Sequence, residues 1–316
     1  VSSRLVRMIG ALATTAAIAV AATGAAASPA GAGRPARAAA PYPVTVQSPY
    51  GPVTLSSRPH RVISLSPTAT EMLFSIGAGH QVVAVDNDSD YPSNAPRTTL
   101  SGYTPNVEAI AGYRPDLVVI SYNPSPPNLV ASLKLLNIPV LYLPAARDLA
   151  QTYSELAELG RLTGETTGAN GVVRQMRTQI AQLVAEVHKR YPPLTYFYEL
   201  DPTLYTATSA TFIGSVLHLA GLANIAGSSV HGSDYPQLSS ETVVHANPTF
   251  VFLADGASVG SVRARPGWSV LTAVRTGRVI KLNEDVASRW GPRIVDLLRE
   301  VVHAVNAVPS TPAAKG

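Results

Sequence analysis

One pattern occurs twice in this chain, and it limits the possible folds more than any other feature. Asn106-Val107-Glu108 is followed by Pro115 and the apolar run Leu117-Val118-Val119-Ile120. Ser239-Ser240-Glu241 is followed by Pro248 and the apolar run Phe250-Val251-Phe252-Leu253. In both copies the proline lies seven residues past the glutamate (108 to 115, 241 to 248). Asn106 and Ser239 are helix N-caps by residue type, because their side chains accept from first-turn N–H groups. The glutamates then sit where the helix dipole favours negative charge, the proline ends a short helix, and the apolar run is a buried strand. The repeat extends upstream. Ser89-Asp90-Tyr91-Pro92 recurs as Ser233-Asp234-Tyr235-Pro236, and Gly77 and Gly221 each lie fifteen residues before those prolines (77 to 92, 221 to 236). Ordered features at equal spacing predict two lobes of similar fold, each carrying one glutamate in an equivalent place.

The segments around the repeat alternate strand and helix. Val44–Val46 and Val53–Leu55 flank Pro49-Tyr50-Gly51-Pro52 as a hairpin. Strand 61–65 leads into a helix capped by Ser66 with Pro67 at its first position. Strands are also expected at 82–85, 117–120, 140–143, 195–198 and 279–282, with helices at 129–136 and 292–305 between or after them. This alternation predicts an α/β fold with a parallel sheet in each lobe. Asp148 caps a helix that ends near Gly164. A second helix, from about Ala169 to Arg190, carries Val172, Val173, Met176, Ile180, Leu183, Val184 and Val187 as one stripe. Its length of roughly 33 Å suffices to join two lobes. The expected layout is a leader at 1–40, a first lobe at 41–166, a bridging helix at 167–191, a second lobe at 192–308 and a loose tail at 309–316.

The leader decides the charge. Arg4 and Arg7 precede an apolar, Ala-rich run, which predicts an export signal. Of the 24 lysines and arginines, four lie within 1–40 beside no acid, so the remainder balances the 20 acids. The rest of the chain is near neutral, and nucleic acid is not an expected partner. With no cysteine in the sequence, disulfides, thiolate metal sites and a lipid-modified cysteine are not expected. An exported protein, secreted or held at the cell envelope, is the expectation.

Several motifs have competing readings. Gly77-Ala78-Gly79 ends a helix instead of following a strand, so it is not a dinucleotide fingerprint. Asp86-Asn87-Asp88-Ser89-Asp90 starts like a calcium loop, but Tyr91 and Arg97 stand where Gly and Glu are required, so a solvated or ligand-facing loop is expected. The histidines lack zinc spacing, and no metal site is expected. Gly256-Ala257-Ser258-Val259-Gly260 matches a nucleophile elbow, with Asp285 or Asp296 and then His303 in chain order. A helix must follow that serine, and 261–267 is a poor helix former. A loop is expected there, with a Ser258 hydrolase as the alternative function. Tyr91, Tyr103, Tyr122, Tyr205, Tyr235 and Trp290 all fall on loops or strand exits. Together they suggest a cleft that stacks on a bulky, partly apolar ligand, with Glu199 and Arg289 as candidate polar contacts.

From Arg61-Val62-Ile63-Ser64-Leu65-Ser66-Pro67-Thr68-Ala69-Thr70-Glu71 onward, the sequence resembles the iron-chelate and cobalamin substrate-binding proteins of bacterial ABC importers. The resemblance continues through Ser89-Asp90-Tyr91-Pro92, Asn106-Val107-Glu108, Arg114-Pro115-Asp116-Leu117-Val118, Tyr198-Glu199-Leu200-Asp201, Gly221-Leu222-Ala223-Asn224-Ile225, Tyr235-Pro236-Gln237-Leu238-Ser239 and Gly291-Pro292-Arg293. It covers about residues 58 to 305 and is nearest in look to the cobalamin-binding branch. It implies two α/β lobes joined by one rigid helix, with a corrinoid or ferric chelate between them and no cofactor of the protein's own. It also implies a non-enzymatic, monomeric receptor whose Glu108 and Glu241 dock on arginines of a membrane permease. Tyr235 matches a cleft aromatic of that branch, whereas Asp88 stands where another aromatic is expected. A scavenging or sensing receptor without a permease is the second alternative.

Overall fold

The computed structural model describes residues 42–121, 126–228 and 232–309. Hairpin strands β1 (Val44–Val46) and β2 (Val53–Leu55) pair antiparallel at the edge of the first lobe. The first lobe then runs β3 (Val62–Leu65), α1 (Pro67–Ser75), β4 (Val82–Val85), α2 (Val107–Gly112), β5 (Leu117–Ile120), α3 (Pro126–Leu135), β6 (Val140–Tyr142) and α4 (Leu149–Thr163). Helix α5 (Thr166–Glu186) leads to the second lobe. There β7 (Leu194–Glu199), α6 (Phe212–Leu219), β8 (Leu222–Asn224), α7 (Ser240–Ala246), β9 (Phe250–Leu253), α8 (Val259–Arg263), α9 (Thr272–Arg275), β10 (Val279–Lys281), α10 (Glu284–Ser288) and α11 (Ile294–Asn306) follow.

Each lobe is an α/β unit around one four-stranded parallel sheet, and the two sheets share one topology. The first is ordered β4-β3-β5-β6 and the second β8-β7-β9-β10. Central strands β3, β5 and β9 are buried along their whole length, which explains their unbroken apolar runs. The repeat read from sequence is therefore a repeat of structure, down to its punctuation. Asn106 and Ser239 both cap their helices by accepting from the N–H three residues on. Arg114 (φ 47°) and Asn247 (φ 44°) take the left-handed conformation directly before Pro115 and Pro248. A residue before proline is pushed away from the right-handed helical region, so both helices stop there.

Two sequence expectations change. The second long helix starts at Thr166 and ends at Glu186, short of the expected Arg190. Tertiary contacts take over its last turn: His188 N–H donates to Asn306 Oδ1 (2.8 Å), and Arg190 donates to the Val308 carbonyl. The segment after Ser258 is one helical turn, α8, instead of a loop. Ser258 caps it by accepting from Ser261 N–H at 3.0 Å, an added bond that composition alone did not weigh.

Helix α5 packs tightly on the first lobe. A Cβ on Gly168 would lie 1.9 Å from the Ile76 carbonyl oxygen, so only glycine lets the helix approach the end of α1. On its other side α5 packs against α11 of the second lobe, and Asn306 ties α11 to Glu186. Among the described residues no helix is long and apolar enough to cross a membrane.

Candidate functional site

In a parallel sheet with this strand order, ligands collect beyond the carboxyl ends of the strands. A cavity of about 340 Å³ lies there in the first lobe. Its walls come from the ends of β3 (Leu65, Ser66), β4 (Asp86, Asp88) and β5 (Ser121), the loop at Gly102 and Tyr103, and the second-lobe stretch Ser288-Arg289-Trp290. Both lobes thus contribute to one cavity.

The second-lobe wall is held by charge. Arg289, the residue after α10, donates to Glu71 Oε1 of α1 (2.9 Å), Asp90 Oδ1 (2.9 Å), the Asp88 carbonyl (3.3 Å) and Asp285 Oδ1 (2.6 Å). Arg293 completes a bidentate pair with Glu71 (2.9 and 2.6 Å) and lies over the Tyr91 ring, 4.1 Å from its centroid. Glu71 is 4% exposed, so this is a buried clasp between residues more than 200 apart in sequence. Its hydrogen bonds hold the Asp90 carboxyl below its usual range although burial opposes them.

Two buried carboxyls relate to the cavity differently: Asp86 lines it, and Glu155 is bonded to the lining residue Trp290. Asp86 is 2% exposed, and its Oδ1 has no hydrogen-bond partner. Burial raises its pKa to about 6 against hydrogen bonds from Ser89, with Asp88 adding and Arg289 subtracting. Glu155 of α4 accepts from Trp290 Nε1 at 2.8 Å, while its Oε1 has no partner. Burial raises its pKa to about 8; the Trp290 bond opposes this and nearby Glu158 adds to it.

The structure brings Tyr103, Arg289 and Trp290 to this cavity. Tyr91 instead lines a second cavity of about 410 Å³ beyond the clasp, with Glu71, Gln175, Gln179 and Arg293. Tyr205 and Tyr235 are exposed on two second-lobe segments that pair at Tyr205 and Gln237. Burial raises the Tyr235 pKa, Asp234 adds to it, and Arg147 of the first lobe lowers it. Tyr122 lies outside the described residues. Glu199 is no open cleft contact here: it is completely buried, and both its oxygens accept from Arg265 (2.5 and 2.6 Å). Arg265 is stacked in turn on Trp268, 4.6 Å from its ring. The Ser258 hydroxyl serves as the α8 cap. Glu108 and Glu241 are exposed in the first turns of α2 and α7. The Glu241 carboxyl is held below its usual range, first by a backbone N–H and then by the Ser239 hydroxyl.

Sequence reasoning missed Glu71, Asp86, Glu155 and Arg293. The available signal was an acid on an apolar helical face, at Glu71 and at Glu155, where burial requires a partner. Among the described residues no cluster of three metal-ligating side chains occurs.

Comparison with known proteins follows the same outline. The sequence pattern of the periplasmic binding protein family matches residues 62–286. A cobalamin-binding protein of Halobacterium salinarum is 33% identical over 266 residues, spanning 80% of this chain and 71% of the relative. An uncharacterised ABC transporter substrate-binding lipoprotein of Bacillus subtilis is 27% identical over 272 residues, spanning 84% and 86%. The crystal structure of the periplasmic vitamin B12-binding protein of Vibrio cholerae superposes with a TM-score of 0.66 at 28% identity, covering 78% of this chain and 97% of that one.

Proposed function

Because the chain belongs to the periplasmic binding protein family, we propose that it is the exported receptor of an ABC importer, taking a cobalamin-type corrinoid between its lobes. The observation that carries this reading is the cavity at the strand ends, walled by both lobes and bordered by Tyr103 and Trp290. A rigid macrocycle presents flat apolar faces to such aromatics and polar groups at its rim. Tyr205 and Tyr235 extend the aromatic surface on the second lobe. Likeness to the named cobalamin-binding relative supports the corrinoid over a ferric chelate. On this reading the protein binds and releases without chemistry of its own, and Ser258, the candidate nucleophile, serves as a helix cap. Glu108 and Glu241 are the docking charges for the permease.

Native mass spectrometry with cyanocobalamin and a panel of ferric siderophores tests the ligand. One cyanocobalamin bound per chain is expected, with quenching of Trp290 emission in a Trp268→Phe background. Capture of a siderophore alone would replace the corrinoid with a ferric chelate.

A further inference from the structure

Asp86 is a buried acid at a cavity wall with an acceptor left over. Its position at the end of β4 follows from the strand, since Val85 is the last paired residue. The loop at Gly102 presses on it: a Cβ there would meet Asp86 Oδ2 at 2.7 Å and the Leu65 carbonyl at 2.6 Å. Oδ1 is sealed from solvent without a partner, and Oδ2 lies beside Gly102, itself a wall residue, so Oδ2 is the oxygen nearer the cavity. A buried carboxylate with an unmade hydrogen bond is costly, and a ligand donor that reaches its cavity-side oxygen is correspondingly favoured. The surroundings add negative charge. Asp88 shares the wall, and the one cation there among the described residues, Arg289, is committed to Glu71, Asp90 and Asp285.

We propose that Asp86 is a specificity-determining residue of the cleft, accepting a hydrogen bond from a peripheral carboxamide of the ligand and rejecting a carboxylate at that place. This rests on the corrinoid reading and sharpens it. Corrinoids carry primary carboxamides around the ring, whereas haem carries propionate carboxylates. An acceptor-only, anionic wall favours the first rim and repels the second.

The test is calorimetric titration of the full chain with cyanocobalamin and with its monocarboxylic acids, in which one peripheral propionamide is hydrolysed. The wild type should bind at least one monoacid roughly tenfold or more weaker than cyanocobalamin. Asp86→Asn removes the negative charge and replaces one acceptor oxygen with a donor. That gap should then close or invert, while cyanocobalamin binding weakens roughly tenfold. Asp88→Asn, at an exposed acid of the same wall, should leave most of the gap in place. Equal affinity of the wild type for all the monoacids and cyanocobalamin overturns the assignment even if Asp86→Asn does not fold. So does a gap that persists in Asp86→Asn or follows Asp88. Failure of the wild type to bind any corrinoid is a separate result: it overturns the corrinoid reading, and this inference with it.

Discussion

The hydrogen bond between Trp290 and Glu155 ties the contact between the lobes to pH. The indole of one lobe donates to a carboxyl of the other, and burial raises that carboxyl from 4.5 to about 8. The folded protein therefore holds a proton that the unfolded chain has released between those values. Linkage then makes stability fall as pH rises from 4.5 to about 8, with the full contribution present only below 4.5. Glu155→Gln removes this slope. Its unfolding free energy relative to wild type should rise by on the order of a few kcal/mol between pH 5 and pH 8.5, measured by urea denaturation. Asp86 titrates in both proteins and cancels in the difference. A difference that stays flat with pH would mean that Glu155 ionises normally in the folded state.

Helices α2 and α7 are each about two turns long, and each displays one exposed acid at its start. A first-turn carboxylate is stabilised by the helix dipole, which explains why an acid is tolerated at each site. It does not explain why equivalent helices of two lobes present the same charge. A permease with two symmetry-related basic patches would match that arrangement. Rim charges of this kind act mainly on encounter rate and register, and they weaken with salt. Reversing both, Glu108→Arg with Glu241→Arg, should leave ligand affinity within about twofold and abolish uptake in cells carrying the cognate importer. Each single reversal should be milder. Transport at the normal rate by the double variant would remove the docking role, and lost ligand binding would move these residues into the cleft.

The two lobes are joined by more than their connecting helix. Helix α5 packs on α1, α4 and α11, with Gly168 allowing backbone contact, and the Glu71–Arg289–Arg293 clasp adds a buried ionic tie. A helix without internal proline, braced in this way, does not hinge freely. Closure on ligand should therefore be small, about a few degrees, and scattering profiles with and without cyanocobalamin should nearly superpose. Glu71→Gln removes the buried carboxylate shared by Arg289 and the half-buried Arg293, and only Arg289 keeps other carboxylates, those of Asp90 and Asp285. It should cost roughly 3–5 kcal/mol, a fall of roughly 6–20 °C in Tm, and should let the lobes contract measurably on ligand addition. A Glu71→Gln protein with wild-type Tm would show that the clasp carries little of the lobe contact.

The sequence by itself determined most of the elements and their order, because the signals involved act over a few residues; the turn after Ser258 and the end of the long helix were exceptions. Caps at Ser66, Asn106, Asp148 and Ser239, prolines after short helices, and apolar runs for buried strands all survive in the structure. The duplicated pattern reached further, giving two lobes of like topology and one glutamate on each. The site was legible only in part. Tyr103, Arg289 and Trp290 share a cavity, but Tyr91 lies beyond the clasp and Glu199 is sealed under Arg265. Nothing local distinguishes these cases, since an aromatic or acid on a loop has the same sequence signature whichever wall it reaches. Tertiary structure alone decided that Arg289 would meet Glu71 and that Trp290 would cap Glu155. It also decided that Asp86 would be buried with an oxygen to spare. Partner choice for a buried charge depends on which distant segments the two lobes bring within 3 Å, and desolvation then fixes its cost.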